Sequence, residues 1–313
     1  MLSIIVPCMN EESTISIFYH EVLKVMQKEL EIPFEILFIN DGSKDTSLTV
    51  MKELSQLDER VSYLSFSKNF GKEAAIYAGL ENSSGDYIVI MDVDLQDPPH
   101  LLPEMYQIIS ETDYDSVATR RVNRQGELSI RSFFSRLFYK LINKISSTEI
   151  MDGARDYRMM NRKYVNALLL LSEKVRFSKG LFSWVGFKTK WLEFENIERS
   201  AGETKWSFWK LFIYAIDGIT AFSVAPLRVS VITGFICSLF SFLMLIFIVI
   251  RQLLFGDPVV GWASTISIIL FIGGLQIFFI GIIGEYLAKI FMEIKNRPIY
   301  ILDETNLKKD KLK

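Results

Sequence analysis

Histidine and cysteine are scarce in this chain of 313 residues, which contains two of each. His20 and His100 are too few for a histidine-rich zinc site and speak against a Ser-His-Asp triad. Cys8 closes the first expected strand and Cys237 lies in an apolar run, so the pair predicts no disulfide framework. Chemistry at this protein's site must therefore come from other residue types.

An excess of charge of one sign is also missing, since 35 Lys and Arg residues face 37 Asp and Glu residues. This balance lacks the basic footprint of a nucleic-acid-binding protein. No Gly-x-Gly-x-x-Gly opens the first helix and no Gly-x-x-x-x-Gly-Lys occurs, which disfavours a dehydrogenase-type dinucleotide fold and excludes a P-loop. No signal peptide precedes the first strand at Leu2, so we expect the soluble part to begin in the cytosol.

Strand and helix patterns alternate through the first part of the chain. Short apolar segments rich in β-branched residues predict strands, and amphipathic segments between them predict helices. Asn10 is expected to cap the first helix. The expected strands are 2–7, 34–39, 61–66 and 87–91, and the helices between them are 10–30, 45–57 and 74–80. This alternation predicts an α/β fold with a mainly parallel sheet covered on both faces.

Carboxylate residues follow the ends of several of these strands. Glu11 follows the first strand, Asp41 the second, and Asp92 and Asp94 the fourth. Ligands gather at the carboxyl ends of strands in open α/β sheets, so these acids are candidates for one site. Asp92 and Asp94 would face opposite sides of a regular strand, so both reach one ligand only if the backbone turns. The alternative is purely local, with Glu11 capping a helix and the others forming turns.

Three sequence segments that include these acids resemble those of family 2 glycosyltransferases with the GT-A fold. They are 4–12 (IIVPCMNEE), 40–45 (NDGSKD) and 92–98 (DVDLQDP). Together with 68–73 (KNFGKE) and later segments, the chain is similar to bacterial polyprenyl-phosphate (bactoprenol) glycosyltransferases, relatives of dolichyl-phosphate mannose synthase. The resemblance covers nearly the whole chain and implies a Rossmann-like GT-A domain.

The resemblance implies a site for a nucleotide sugar with Mg²⁺ or Mn²⁺. The implied metal residues are Asp92, Asp94 and Gln96. The implied contacts to the nucleotide sugar are Pro7, Met9, Glu11, Ile39, Asp41, Asp92, Val93, Arg199 and Lys205. Met9 stands where many relatives have an aromatic residue, which leaves the base preference open, and Thr204 replaces a serine in the Arg199–Lys205 loop.

The resemblance also implies an acceptor side that binds a lipid phosphate. Arg120, Arg131 and Ser135 are the implied phosphate contacts, and Asp156 matches the family's acceptor-side acid. Asp94, Asp156, Arg120 and Arg131 are thus the expected catalytic residues. A phosphate monoester has a second pKa of about 6, so it is mostly ionised at cytosolic pH. Proton abstraction by Asp156 and simple positioning both stay open.

Two long apolar runs follow, at 229–250 and 263–284. A bilayer core takes about 20 helical residues, so each run can span once, and a buried soluble hairpin is the alternative. The connector 252–261 has no Lys or Arg, whereas the tail carries Lys289, Lys295, Arg297 and four further lysines. The positive-inside rule therefore predicts a multi-pass protein of the cytoplasmic membrane with its catalytic domain and tail in the cytosol.

The expected organisation has three parts. Residues 1–225 form a cytosolic GT-A domain, 226–288 a two-helix transmembrane hairpin, and 289–313 a basic cytosolic tail. Aromatic and basic residues alternate at helical spacing in 131–144, which indicates a helix lying on the membrane surface. We expect such interfacial helices near 130–146 and 206–222, with ordinary packing on the sheet as the alternative for the first.

The expected function is an inverting transfer of glucose from UDP-glucose to undecaprenyl phosphate, for modification of a cell-envelope glycan. UDP-GlcNAc and GDP-mannose stay open as donors, and a non-catalytic membrane protein with this fold is the alternative class. A processive synthase is disfavoured because no Gln-x-x-Arg-Trp occurs and two spans are few for a polymer channel. The expected partners are the membrane, a separate flippase, a downstream transferase and further copies of the chain, with no nucleic acid.

Overall fold

The computed structural model describes residues 1–121, 143–144, 151, 153–194, 216, 219–221, 223–255 and 261–308. Most of the two predicted interfacial helices lies outside these residues. Four predicted site residues lie outside as well, namely Arg131, Ser135, Arg199 and Lys205.

Within the described residues, eight strands form one sheet in the order β7-β5-β6-β4-β1-β2-β3-β8. The strands are β1 (Leu2–Cys8), β2 (Phe34–Asn40), β3 (Val61–Phe66), β4 (Tyr87–Ile90), β5 (Ser116–Arg121), β6 (Ala154–Asn161), β7 (Thr189–Phe194) and β8 (Leu302–Thr305). β1 pairs in parallel with β2 and β4, β2 with β3, and β5 with β7, whereas β6 and β8 run antiparallel to their neighbours. The mixed but mainly parallel sheet confirms the predicted α/β class.

Among the described residues, the first six helices pack on the two faces of the sheet, and the last two are the long apolar helices described below. The helices are α1 (Ile15–Val25), α2 (Ser47–Leu57), α3 (Lys72–Asn82), α4 (Leu102–Glu111), α5 (Arg162–Leu169), α6 (Ser178–Trp184), α7 (Ala225–Phe255) and α8 (Trp262–Ile294). Two apolar clusters result, one on each face, and alternate residues of β1 enter them: Ile4 and Val6 the first, Ile5 the second. Because both faces are covered, the central strands are nearly continuous apolar runs.

The prediction that Asn10 caps the first helix is wrong. Asn10 has φ 54°, and its side-chain oxygen accepts a hydrogen bond from the Lys44 N–H at 2.8 Å. Its own N–H donates to Ser43 Oγ at 2.9 Å, so both groups of Asn10 form hydrogen bonds with the loop after β2 and not with the first helix. α1 therefore begins only at Ile15, and a π-helical stretch, Met26–Leu30, extends it.

The backbone turns directly after β4, as a shared site for two acids requires. β4 ends at Ile90, and the Met91 N–H still donates to the Ile5 carbonyl at 3.0 Å. Leu95 then adopts φ 57°, a left-handed conformation that a regular strand does not contain. Asp92 and Asp94 thus lie on a turn rather than on opposite faces of a strand.

α7 and α8 are two helices long and apolar enough to cross a membrane. Their most apolar stretches are Ala225–Met244, with mean hydropathy 1.9, and Phe271–Ile294, with mean hydropathy 1.7. Neither stretch is buried inside the protein, so both expose large apolar side chains. Tyr286 of α8 donates its hydroxyl proton to the Ser223 carbonyl just before α7, at 2.5 Å.

After α8 the chain returns to the sheet through residues 299–307, which we call the C-terminal strap. β8 pairs antiparallel with β3, placing Glu304 opposite Ser65. The Tyr300 ring stacks on Phe66 at a centroid distance of 4.9 Å. Asn306 accepts the Tyr63 N–H at 2.8 Å, so the strap satisfies backbone groups along the outer side of β3. The predicted basic tail thus contributes one strand of the sheet.

Candidate active site

The sheet topology brings five strand ends to one edge. β1, β2, β3 and β4 run parallel, and their register places Cys8 opposite Asn40 and Ile5 opposite Ile90. β6 runs the other way, with Arg158 opposite Ile90, so the first residues of β6 reach the same edge. The turn after β4 and the start of β6 are therefore neighbours, which brings the predicted donor and acceptor sides together.

Lys72 links an acid from each side. Its Nζ lies 2.6 Å from Asp92 Oδ1 and 2.8 Å from Asp156 Oδ2. Lys72 is the first residue of α3, Asp92 follows β4, and Asp156 lies near the start of β6. The three side chains are 42%, 25% and 19% exposed, so solvent or a ligand can reach this bridge. The ammonium group of Lys72 thereby binds an acid that lies 84 positions further along the chain, Asp156.

The charges of this bridge outweigh the effect of burial. Burial disfavours the charged form of Lys72, but the carboxylates of Asp156 and Asp92 raise the pKa of Lys72 above its usual range. Burial would also raise the pKa of Asp156, yet the ammonium groups of Lys72 and Lys179 hold that pKa well below its usual range. Asp156 is therefore a carboxylate at neutral pH and a weak base.

Asp41 organises the loop that leads to Lys72. One carboxylate oxygen accepts the Phe70 N–H at 2.6 Å, and the other accepts the Gly71 N–H at 3.0 Å and Asn69 Nδ2 at 2.9 Å. Burial raises the pKa of Asp41, and the backbone N–H groups of Phe70 and Gly71 act in the opposite direction. Gly42 allows this close approach, because a Cβ there would lie 2.4 Å from the Lys68 carbonyl carbon.

Asp97 holds the turn that carries Asp92 and Asp94. Its Oδ1 accepts from Arg155 at 2.9 Å and its Oδ2 accepts the Asp92 N–H at 3.0 Å. The residue is 1% exposed, and burial raises the pKa of Asp97 to about 6 although the Arg155 guanidinium acts in the opposite direction. Asp94 Oδ1 accepts the Gln96 N–H at 3.1 Å, which closes the turn from within.

The remaining predicted donor contacts lie at the same edge with different exposure. Pro7 and Glu11 are half-buried, and Met9 is 42% exposed with Asn69 Nδ2 2.8 Å from its sulfur. Ile39 and Val93 are buried in the two apolar clusters, so their side chains are closed to a ligand. The Glu11 carboxylate accepts the Thr14 hydroxyl at 3.0 Å.

On the acceptor side, Arg120 is the described member of the predicted phosphate-binding group. It lies on β5 opposite Ala154 of β6, two residues from Asp156. Its Nε donates to Glu193 Oε1 of β7 at 3.0 Å, and its NH2 forms an ion pair with the same carboxylate. The structure thus places Arg120 near Asp156 but gives it a carboxylate partner that a phosphate would have to share or replace.

The donor atoms at this edge suit a hard divalent cation. Asp92, Asp94 and Gln96 offer carboxylate and amide oxygens, the ligands that Mg²⁺ and Mn²⁺ prefer. Among the described residues, no group of three His, Cys, Asp or Glu side chains is arranged to hold a metal alone. Such a set fits an ion that takes one or two carboxylates and completes its shell with substrate phosphates.

Comparison with known families decides the assignment. The profile described as glycosyl transferase family 2 matches residues 3–169, and the profile described as GtrB C-terminal hairpin matches residues 225–290. The chain belongs to glycosyl transferase family 2. The predicted GT-A fold and glycosyltransferase activity are thereby confirmed, and the hairpin match covers α7 and most of α8.

Relatives of this family 2 glycosyltransferase match over nearly their full length. The Bacillus subtilis (strain 168) protein CsbB is 45% identical over 98% of this chain and 92% of its own. The bactoprenol glucosyl transferase of Shigella phage SfII is 42% identical over 97% of this chain and 98% of its own. A crystal structure of Mycobacterium tuberculosis glucosyl-3-phosphoglycerate synthase with Mn²⁺, UDP-glucose and phosphoglyceric acid aligns at TM-score 0.45 and 16% identity, covering 70% and 77% of the two chains.

Sequence reasoning on this glycosyltransferase missed Lys72, Asp97 and Arg155 as site residues. Lys72 and Asp97 belong to motif segments that carry the family resemblance, and Arg155 directly precedes the matched acid Asp156, but a motif does not tell which of its residues are in contact. A signal was available for Arg155, because a cation in a strand of the sheet needs a charged or polar partner when it is buried. Lys72 carried a weaker signal as a cation at the first position of a helix, where the dipole disfavours it.

Proposed function

We propose that this chain transfers glucose from UDP-glucose to a polyprenyl phosphate at the cytoplasmic face of the membrane. The observation that carries the proposal is the Lys72 bridge, which joins the acids of the donor side and the acceptor side at one sheet edge. The name of the phage relative, a bactoprenol glucosyl transferase, supports both the acceptor and the sugar. The two apolar helices support an acceptor that resides in the membrane.

We assign the following roles to the parts of the chain and to the residues of the site. Residues 1–225 act as the cytosolic catalytic domain, 226–288 as the transmembrane hairpin and 289–313 as a cytosolic tail. Pro7, Met9, Glu11 and Asp41 contact the nucleoside, and the buried residues Ile39 and Val93 support these contacts from the core. Arg199 and Lys205 bind the diphosphate, and Arg120, Arg131 and Ser135 bind the acceptor phosphate.

In the reaction, an oxygen of the acceptor phosphate attacks C1 of the glucose from the side opposite UDP. The new C1–O bond forms as the bond from C1 to the β-phosphate oxygen breaks, so the configuration at C1 inverts. Asp94, with Asp92 and Gln96 beside it, would hold the divalent cation, whose charge would offset the charge developing on the leaving UDP. Lys72 and Lys179 offset the repulsion between Asp156 and the incoming phosphate.

Asp156 acts in this reaction by positioning rather than by taking a proton. Its pKa lies well below the usual range because the nearby ammonium groups outweigh its burial. The acceptor phosphate is already mostly ionised at neutral pH, since its second pKa is about 6. Asp156 therefore orients Lys72 between the two substrates, which places a cation where the phosphate must arrive.

The test is transfer from labelled UDP-glucose, UDP-GlcNAc or GDP-mannose to undecaprenyl phosphate by the purified full chain in lipid nanodiscs. Each donor is assayed with Mn²⁺, with Mg²⁺ and with a chelator. The expected result is a metal-dependent lipid product that carries glucose. A product with another sugar would correct the donor, and folded protein that labels no lipid with any donor would contradict the proposed function.

A further inference from the structure

The second apolar helix ends in a contact with the α/β part of the chain. Glu293, in the last turn of α8, accepts the Lys174 N–H at 2.8 Å and the Val175 N–H at 3.2 Å through one oxygen. A carboxylate that accepts two backbone N–H groups makes stronger hydrogen bonds than a neutral acceptor does. α8 is thereby attached to residues 173–179, which we call the linking segment.

The other end of the linking segment is attached to α3. The N–H of Ser178 donates to Glu73 Oε2 at 3.0 Å, and the Ser178 hydroxyl donates to the same oxygen. The Arg176 guanidinium lies 4.7 Å from the centre of the Tyr77 ring, also on α3. The segment is therefore held at both ends, by α8 on one side and by α3 on the other.

The linking segment also reaches the Lys72 bridge. Glu73 directly follows Lys72, which binds Asp92 and Asp156. Lys179, the last residue of the segment, acts electrostatically on the carboxylate of Asp156. Six residues of chain thus connect the backbone that Glu293 holds to Lys179, and Ser178 within them binds Glu73 beside Lys72.

We propose that Glu293 is a positioning residue for the lipid acceptor, acting through the linking segment on Lys179, Lys72 and Asp156. The proposal rests on the proposed function. A polyprenyl phosphate keeps its chain in the bilayer, so its phosphate reaches only a limited height above the membrane surface. The site must therefore be held at a matching height relative to α8. A nucleotide sugar arrives from solution, and its binding does not depend on this height.

Kinetics of Glu293→Ala and Glu293→Gln test the proposal, with the full chain in nanodiscs containing undecaprenyl phosphate and with UDP-glucose as donor. We expect Glu293→Ala to raise the KM for the lipid about tenfold, the factor that loss of such charge-assisted hydrogen bonds produces, and to leave the KM for UDP-glucose unchanged. Glu293→Gln should recover part of the lipid KM, because its neutral amide oxygen accepts the same N–H groups in weaker hydrogen bonds.

Glu304→Ala is the matched control, because it removes a surface ion pair between the C-terminal strap and Lys52 without touching the linking segment. We expect it to leave both KM values unchanged. Ser178→Ala removes the hydroxyl contact to Glu73 and so weakens the attachment at the other end of the segment. It should raise the lipid KM too, and the double variant with Glu293→Ala should fall short of the product of the two effects.

Three results would overturn the proposal: an unchanged lipid KM in Glu293→Ala, an equal rise in both KM values, or no recovery in Glu293→Gln. Fully multiplicative effects of Glu293→Ala and Ser178→Ala would do the same, since they would show two independent contacts. A wild-type chain that makes no lipid product is a different result, because it rejects the proposed function itself.

Discussion

Arg155 and Asp97 form a buried ion pair that connects the donor side of the site to its acceptor side. Arg155 directly precedes Asp156 on β6, and its NH2 lies 2.9 Å from Asp97 Oδ1. Asp97 in turn accepts the Asp92 N–H through its other oxygen, at 3.0 Å. The turn that carries the donor-side acids is thus held by a residue adjacent to the acceptor-side acid.

Asp97→Asn should lower both stability and turnover. The substitution leaves the buried guanidinium of Arg155 without its counter-charge, which typically costs about 3 kcal/mol of unfolding free energy. Thermal unfolding of the purified protein and the transfer assay measure the two effects. Asp113→Asn is the control: it removes an exposed pair with Lys188, so its effect on stability should be much smaller than that of Asp97→Asn. Equal melting temperatures for both variants would contradict this role of Asp97.

Lys72→Met should reduce transfer about 100-fold, the usual cost of removing one electrostatic contact from a reacting site. Without the ammonium group, the carboxylates of Asp92 and Asp156 repel each other and the arriving phosphate. Lys72→Arg should recover part of the activity because it keeps the charge. Lys68→Met is the control, since Lys68 lies on the same loop over the Phe70 ring. If the Lys68 and Lys72 variants were equally active, the bridge would have no role in transfer.

Asp94→Asn should abolish turnover and leave membrane insertion intact. The amide removes one negative charge from the group expected to hold the divalent cation, so the Mn²⁺ affinity of the folded protein with UDP should also fall. Asp86→Asn is the control, because Asp86 lies at the exposed start of β4 and pairs with the amino terminus. Full activity of the Asp94 variant at unchanged Mn²⁺ affinity would remove its metal role.

Glu73 predicts a specific dependence of stability on pH. Burial first, and then the charge of Asp156, raise the pKa of Glu73 to about 7, above the usual value near 4.3 for an unfolded chain. The folded protein therefore keeps this proton where the unfolded chain has lost it, and the stabilisation present at low pH disappears as pH rises through 7. Glu73→Gln does not titrate, so between pH 5 and pH 8 it should gain about 3 kcal/mol relative to wild type.

Melting temperatures of wild type and Glu73→Gln at pH 5, 6, 7 and 8 measure this difference. Both curves contain the contributions of all other titrating groups, so only their separation reports on Glu73. The separation should grow in favour of the glutamine variant up to pH 7 and then stay constant. Two parallel curves would mean that Glu73 ionises normally in the folded protein.

The order of strands and helices in the first part of the chain could be predicted from the sequence because it depends on local patterns. Strands covered on both faces are continuous apolar runs, and the amphipathic segments between them mark the helices. The acids at the strand ends then converge because parallel strands end at one edge. Asp92, Asp94 and Asp156 were identified in this way or through the family resemblance.

The contacts that assemble the site could not be predicted, because they join distant residues. Nothing local in Leu302–Thr305 indicates a strand, since the segment becomes one only by pairing with β3 some 240 residues earlier. Asn10 was misassigned for the same reason: its amide has a partner 34 residues away and does not cap its own helix. Lys72 was a motif residue whose two partners only the fold reveals.

The C-terminal strap determines how a soluble version of this enzyme would have to be built. A chain cut before α7 would lose residues 299–307 along with the two apolar helices. It would leave the N–H and C=O groups of β3 exposed along an open sheet edge, which invites pairing between molecules and aggregation. A soluble enzyme therefore calls for an internal deletion in which a flexible linker replaces the hairpin and the strap is retained.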